Sequence, residues 1–425
     1  MGFYYVGSGI FQITVLPKYL FDTGGSNLAV GFAEGLQGMS SLLAAWPAGY
    51  SADVWSRSTC VRVGAFVQMM SCSFLVASLV CCGIQHQAIN SAPFRLAVCA
   101  LILQGIADAF VSGPLQALVD DSCPVGRRTD VTTATSVLYR TVGVVGPLFG
   151  VAVFISAGNQ WTLESMQIVI AFGVAVMAVS TIPAWRMDDG KALGAQSEAC
   201  YLQSGKAPTS GHDQVTATPV LARTSCFRSD QVRGLFFLGE VINSIGAGMT
   251  VKFFPLFFSQ EVHIDPVTLQ MVFALISIFT LVGVIIARRA AQHYGRLEIV
   301  IPCYILSITC TILLGVLHAF WKYWALTVLI FTIRCTSIWS VGALLSSIIA
   351  DYTPKSQRGR WRALSTIASA SWSGSACLGG WLIDRHGYGM TFILTGTLQA
   401  TMIPLWCMIM PLVVKESDIL AAEGA

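Results

Sequence analysis

Several ionisable side chains lie deep inside long apolar runs of this sequence: Glu34, Asp108, Arg140, Glu240, Lys252 and Arg334. A charge at the centre of a bilayer costs about 2.5–3.5 kcal/mol on insertion scales, so such residues persist where they pair, line water or bind something. A carboxylate there changes its proton affinity whenever its access to water or to a cation changes. That is the requirement for carrying protons, and it makes Asp108 and Glu240 the candidate proton carriers. Arg334 presents a planar fork of donors suited to a carboxylate or phosphate on a solute. Gln12, Gln104 and Asn243 are neutral polar neighbours in runs of the same kind, and Glu240 and Asn243, three apart, share a helix face. For each charge the competing reading is an internal ion pair that fixes helix packing, such as Asp108 with Arg140.

Chemistry of other kinds is not indicated. The apolar runs contain no H-E-x-x-H, G-x-S-x-G or paired-His motif, and only 6 His occur in the whole chain. No G-x-x-x-x-G-K-[ST] loop is present to hold nucleotide phosphates. The 13 Cys mostly sit inside apolar runs without C-x-x-C spacing, as small buried thiols do. The expectation is therefore no catalytic residues, no metal and no cofactor, and with a net charge of +3 no nucleic-acid partner.

The elements that position these residues follow from composition. Of 425 residues, 54% are hydrophobic and 11% charged, with a mean hydropathy of +0.67. A soluble fold carries about 25% charged residues to cover its surface. Here the apolar side chains must face lipid as well as one another, so a multi-pass integral membrane protein is expected, with the bilayer as its partner. A crossing helix needs about 20 mostly apolar residues. Runs of that kind fall near 2–18, 30–52, 60–84, 94–119, 131–157, 163–185, 232–258, 267–288, 297–318, 323–350, 361–383 and 389–414. The fold class is all-α with twelve transmembrane helices, since a lipid-exposed backbone must satisfy its own hydrogen bonds. The first run lacks a basic leader and a cleavage site, so a signal peptide is not expected. Its shortness suggests that natural N-terminal residues precede it. Trp46, Trp55, Trp161, Trp321, Trp324 and Trp361 lie near run ends, where interfacial belts place them.

The chain divides into a six-helix bundle at 1–185, a polar linker at 186–231, a second bundle at 232–414 and a short tail at 415–425. Placing both termini and the linker in the cytoplasm puts 18 of the 25 Lys and Arg inside and 4 outside. Positive residues resist translocation and so set this orientation. The bundles repeat each other. Asp121-Ser-Cys-Pro124 and Asp351-Tyr-Thr-Pro354 lie 230 positions apart, each followed by arginines, and Gly150 and Gly380 share that offset. Duplicated halves related by an axis along the membrane normal are a transporter architecture.

The end of the second run, Gly49-Tyr-Ser-Ala-Asp53-Val-Trp-Ser-Arg57, resembles the G-x-x-x-D-R-x-G-R signature of the major facilitator superfamily, with Val54 and Ser56 departing from it. The equivalent loop of the second half keeps Gly295-Arg296 but has Gln292 in place of the acid. In span 5, Gly143, Gly146, Pro147 and Gly150 partly resemble the G-P-x-x-G element of proton-linked exporters, although close helix packing with a kink accounts for them as well. The resemblance implies two six-helix bundles rocking about a central site, working as a monomer. It implies that helices 1, 4, 7 and 10 line the cavity, which places Asp108, Glu240, Lys252 and Arg334 beside the solute. It also implies a conformational latch of Gly49, Asp53, Arg57 and Asp120 or Asp121, echoed by Gly295, Arg296, Asp351 and Arg358. Charges at helix ends that only anchor topology are the alternative for this set.

The expected activity is secondary transport of a small solute by symport or antiport, with protons as a coupling ion. A non-transporting receptor or scaffold on the same fold is the alternative, and a membrane-integral enzyme a more distant one. The charge asymmetry predicts that tags at Ala425 and within 186–231 are both protected from protease in intact cells. Digestion of the Ala425 tag with the linker tag protected would contradict an even number of spans between them.

Overall fold

The structure, a computed structural model, describes residues 2–82, 91–122, 128–187, 229–352 and 358–412. Among them every regular element is helical. In chain order these are α1 (Gly2–Phe11), α2 (Val15–Gly24), α3 (Asn27–Val54), α4 (Arg57–Cys81), α5 (Ala92–Ser122), α6 (Arg128–Ser156), α7 (Leu163–Ser180) and α8 (Ile182–Trp185). There follow α9 (Ser229–Thr250), a 3-10 turn (Val251–Phe253), α10 (Phe254–Gln260), α11 (Pro266–Tyr294) and α12 (Arg296–Val316). The last are α13 (Trp324–Ser340), α14 (Gly342–Tyr352), α15 (Arg358–Ala400) and α16 (Met402–Ile409). Eight described stretches are long and apolar enough to cross a membrane, with Gly143–Ser156 as a shorter apolar helix. The chain is an all-helical, multi-pass membrane protein.

Helix ends follow local chemistry. Ser56 and Thr162 accept from the backbone N–H three residues on, at Thr59 and Ser165, and so cap α4 and α7. Asp265 caps α11 in the same way, its Oδ2 2.9 Å from the Thr268 N–H, with Pro266 at the first helical position. Gly295 separates α11 from α12 at φ +111°, a backbone angle that favours glycine. Gly387, at φ +78°, breaks α15 between the regions expected to be spans 11 and 12.

Two prolines explain breaks that hydropathy does not reveal. Pro17 has no N–H for the Ile13 carbonyl, and the helix is interrupted between α1 and α2 just ahead of it. The first helical run therefore continues to Gly24, beyond its expected end near 18. Pro255 likewise cannot pair with the Val251 carbonyl, and the chain tightens there into the 3-10 turn between α9 and α10.

The chain forms two compact units: Met1–Gly25 with Ala33–Thr216, and Ser26–Phe32 with Ala217–Ala425. In the first, α4 packs along α5, and α1 along α6 and α7. Gly146 of α6 sits directly on the backbone of Gly9, where a Cβ would collide. Such close approach compensates for the missing hydrophobic drive between helices in lipid. In the second unit α9 lies along α15, and α12 along α13 and α15. Its core is aromatic. Phe254 and Phe331 have ring centroids 4.5 Å apart, Phe258 and Phe331 5.0 Å, and Phe257 and Phe392 5.1 Å. The opening turns of α3 join this unit because Asp384 accepts from the N–H groups of Asn27 (3.1 Å) and Leu28 (2.8 Å), while Tyr388 donates to Asn27 Oδ1 at 2.9 Å. A carboxylate on a helix N-terminus satisfies free donors and complements the dipole. Outward faces carry exposed Trp46, Leu43 and Val80, as lipid contact requires.

Gly379 of α15 sits directly on the Met249 backbone, whereas a Cβ at Gly374 would touch no described residue. Gly379→Val is expected to cost about 1–3 kcal/mol through overpacking and to lower the melting temperature in detergent. Gly374→Ala should leave it unchanged, and equal melting of the two variants would refute the close-contact assignment.

Candidate functional site

In the first unit Asp108 sits one helical turn beyond Gln104 on α5, so both point to one side of the helix. Opposite them is Tyr4 of α1, whose hydroxyl donates to Asp108 Oδ1 at 2.5 Å. Gln104 Nε2 donates to the Tyr4 oxygen at 2.7 Å and to Asp108 Oδ1 at 3.2 Å. Gln68 of α4 donates from Nε2 to Gln104 Oε1 at 2.7 Å. Ser71 commits its proton to the Ala100 carbonyl at 2.8 Å, which leaves its 3.5 Å contact with Gln104 weak. The result is a row of donors, Gln68 to Gln104 to Tyr4, that ends on a carboxylate. Beside it is a small cavity lined by Phe11, Gln12, Leu16, Gln68, Ser71 and Gln104, with room for about one water molecule.

In the second unit the expected site residues take two directions. Glu240 and Asn243 share a face of α9, as their spacing requires, and that face looks into the unit. Asn243 Oδ1 accepts from Gln399 Nε2 at 3.1 Å. Trp406 lays its indole on Gly239, where a Cβ would collide, and packs edge-on against Tyr304 with centroids 4.8 Å apart. Glu240 Oε2 and Trp406 Nε1 are buried here without a hydrogen-bond partner among the described residues. Glu240 therefore holds a carboxylate oxygen inside the second unit, close to the cluster that contains Tyr304 and Trp406.

The cations of this unit use aromatic faces. Lys252, in the 3-10 turn, holds Nζ 4.7 Å from the Trp372 ring centroid. Arg334 is 1% exposed. Its guanidinium carbon lies 4.7 Å from the Phe254 ring, and its Nε donates to Thr311 Oγ1 at 3.1 Å. Desolvated cation–π contacts of this kind reach about 2 kcal/mol. The flat, weakly hydrated guanidinium suits them better than an ammonium does.

Among the remaining sequence candidates, Gln12 lines the small cavity and Glu34 is buried in α3. Gly49 is exposed, and a Cβ there would meet no described atom. Arg57 opens α4, and Arg296 opens α12 directly after Gly295. The side chains of Asp53, Asp120, Asp121, Arg140, Asp351 and Arg358 lie outside the described residues. The Asp108–Arg140 pair and the latch therefore fall beyond what the coordinates describe. Sequence reasoning did not single out Tyr4, Gln68, Tyr304 or Trp406, and read Trp372 as packing. Gln68 carried the same signal as Gln104, an amide in an apolar run. The aromatic partners carried none, because a tyrosine or tryptophan in a span reads equally well as packing.

Comparison with known proteins agrees with this architecture. The family model of the Major Facilitator Superfamily matches residues 1–360 and 236–425. The mouse (Mus musculus) MFS-type transporter SLC18B1 is 26% identical over 181 residues, covering 41% of this chain. That match spans only 39% of the relative's own length. A bacterial homologue of the iron transporter ferroportin, solved in an inward-facing state, superposes with a TM-score of 0.70 at 11% identity, covering 96% of each chain. A D-xylose-proton symporter gives 0.68 at 12% identity, covering 95% of this chain and 96% of its own. A POT family transporter in complex with 5-aminolevulinic acid gives 0.65 at 13% identity, covering 97% and 94%. The helical fold of these transporters and the family match along the chain lead to one assignment: the protein belongs to the major facilitator superfamily.

Proposed function

We propose that this protein is a secondary transporter that moves a small solute by alternating access and couples it to protons at Asp108, with Glu240 as a second proton-binding carboxylate. The observation that carries the reading is the membrane-embedded Asp108 carboxylate at the end of the Gln68–Gln104–Tyr4 donor row. A carboxylate held by donors of this kind can bind and release a proton as its access to water changes. The two protonation states then prefer different hydrogen-bond arrangements, and a difference of that kind is what couples two binding events. Symport or antiport both fit, and the similar structures include a proton symporter.

Twelve spans, cytoplasmic termini and function as a monomer complete the proposal. The two compact units provide the bodies that rock. The latch of Asp53, Arg57 and Asp120 or Asp121, with Gly295, Arg296, Asp351 and Arg358 in the second half, would hold one end state. Lys252 and Arg334, stacked on Trp372 and Phe254, are the groups through which an acidic solute would be drawn to the second unit.

The test is uptake into proteoliposomes of a panel of sugars, amino acids, organic anions and organic cations, with and without an imposed pH gradient. At least one solute is expected to accumulate with the gradient. Asp108→Asn should reduce gradient-driven accumulation by about tenfold, a typical coupling magnitude, while leaving exchange of that solute in place. Gradient-driven accumulation equal to wild type in Asp108→Asn would remove the assignment. Asp53→Asn should slow turnover per folded molecule more than it lowers expression, and unchanged turnover would eliminate the latch.

A further inference from the structure

We propose that the end of α11 is a docking site for an anionic phospholipid. Arg288 and Arg289 hold its phosphate, and an acyl chain lies along the apolar side of the same helix. Leu275, Phe279, Val282 and Ile286 are all exposed on α11. Steps of three or four residues put them on one side of the helix, the side that meets lipid. The same steps lead next to Arg289 and His293, and from exposed Ile285 to Arg288 and Gln292. All four of these polar residues are exposed as well. The lipid-facing side of α11 therefore runs from an apolar stretch straight into a basic one.

Length puts that change at the depth of the headgroups. Residues 266–286 carry no charge, and at 1.5 Å per residue they span about 30 Å, one hydrocarbon thickness. The two guanidinium groups follow within the next turn. Tyr294, 66% exposed, ends the helix where an interfacial aromatic residue belongs.

Charge complementarity selects the headgroup. No hydrogen bond or ion pair joins Arg288 or Arg289 to another described residue. The one acid in residues 266–316 is Glu298, whose carboxylate is packed against Gly295. The donor fork of a guanidinium matches phosphate oxygens. A zwitterionic headgroup brings its own cation to the same place and offsets part of the attraction, whereas an anionic one does not. Membrane topology and the helix dipole each account for positive charge at this end of α11. Neither requires that charge to continue the lipid-facing stripe. The orientation expected from the chain's charge asymmetry puts this end at the cytoplasmic leaflet, where anionic lipids are concentrated.

The experiment uses the full-length protein in neutral detergent, so its outcome depends neither on orientation nor on a transported solute. Native mass spectrometry follows the binding of phosphatidylglycerol and phosphatidylcholine of equal chain length. The wild type is expected to prefer phosphatidylglycerol by about twenty-five-fold. That is about fivefold for each arginine, from about 1 kcal/mol per basic residue at an anionic surface. Arg288→Gln/Arg289→Gln should bring the preference close to one and leave the melting temperature without lipid unchanged. Arg289→Gln alone should lower the preference about fivefold, and it decides the matter if the double variant does not fold. Arg95→Gln, at an exposed arginine in the first turn of α5, should keep the full preference. A wild-type preference in the α11 variants, or an equal loss in Arg95→Gln, would overturn the site. Inorganic phosphate in about tenfold excess over lipid should not displace it. Displacement would mean that the acyl chain contributes nothing, and would overturn the lipid as occupant.

Discussion

Lipid supplies no hydrogen-bond partner, and every polar feature of this protein is shaped by that scarcity. Backbone groups answer it by staying helical. Side chains answer it by finding one another across helices, as Gln68, Gln104, Tyr4 and Asp108 do in the first unit and Asn243 and Gln399 in the second. The π face of an aromatic ring adds to such partners, as Phe254 does for Arg334 beside its hydrogen bond to Thr311. The same scarcity makes an unanswered group conspicuous. Glu240 Oε2 and Trp406 Nε1 are neighbours of the same apolar core and neither is satisfied among the described residues.

The places where the helical answer fails are as informative as those where it holds. Pro17 and Pro255 each withdraw a donor from the ladder, and each break falls in the opening span of its unit. Beside the first break lies Gln12, at the edge of the small cavity. Within the second lies Lys252, on the ring of Trp372. Irregular backbone in a membrane protein is tolerated where protein or a cavity surrounds it. Here it coincides in both units with candidate site residues, Gln12 and Lys252.

Much of the fold was legible in the sequence because hydropathy measures the quantity that decides membrane insertion. The membrane-spanning, all-helical class and the family could be read from runs, charge placement and the Gly49–Arg57 segment. Direction around a helix axis was not legible. Glu240 and Asn243 share a face, as three-residue spacing dictates, but spacing does not say which face meets Gln399 and Trp406. Nor does composition reveal that Arg334 rests on a phenylalanine instead of a carboxylate, since its partners at 254 and 311 are remote in sequence. The break at Val251 was present in the text as Pro255, but hydropathy smooths over a missing N–H.

The aromatic seat of Arg334 has an electrical consequence. A ring screens a cation from lipid but does not cancel its charge. The potential across a membrane acts on such a charge with about 2.3 kcal/mol per 100 mV for passage across the whole thickness. In the proposed transport cycle, a step that carried α13 along the membrane normal would move this charge through that potential and respond to voltage.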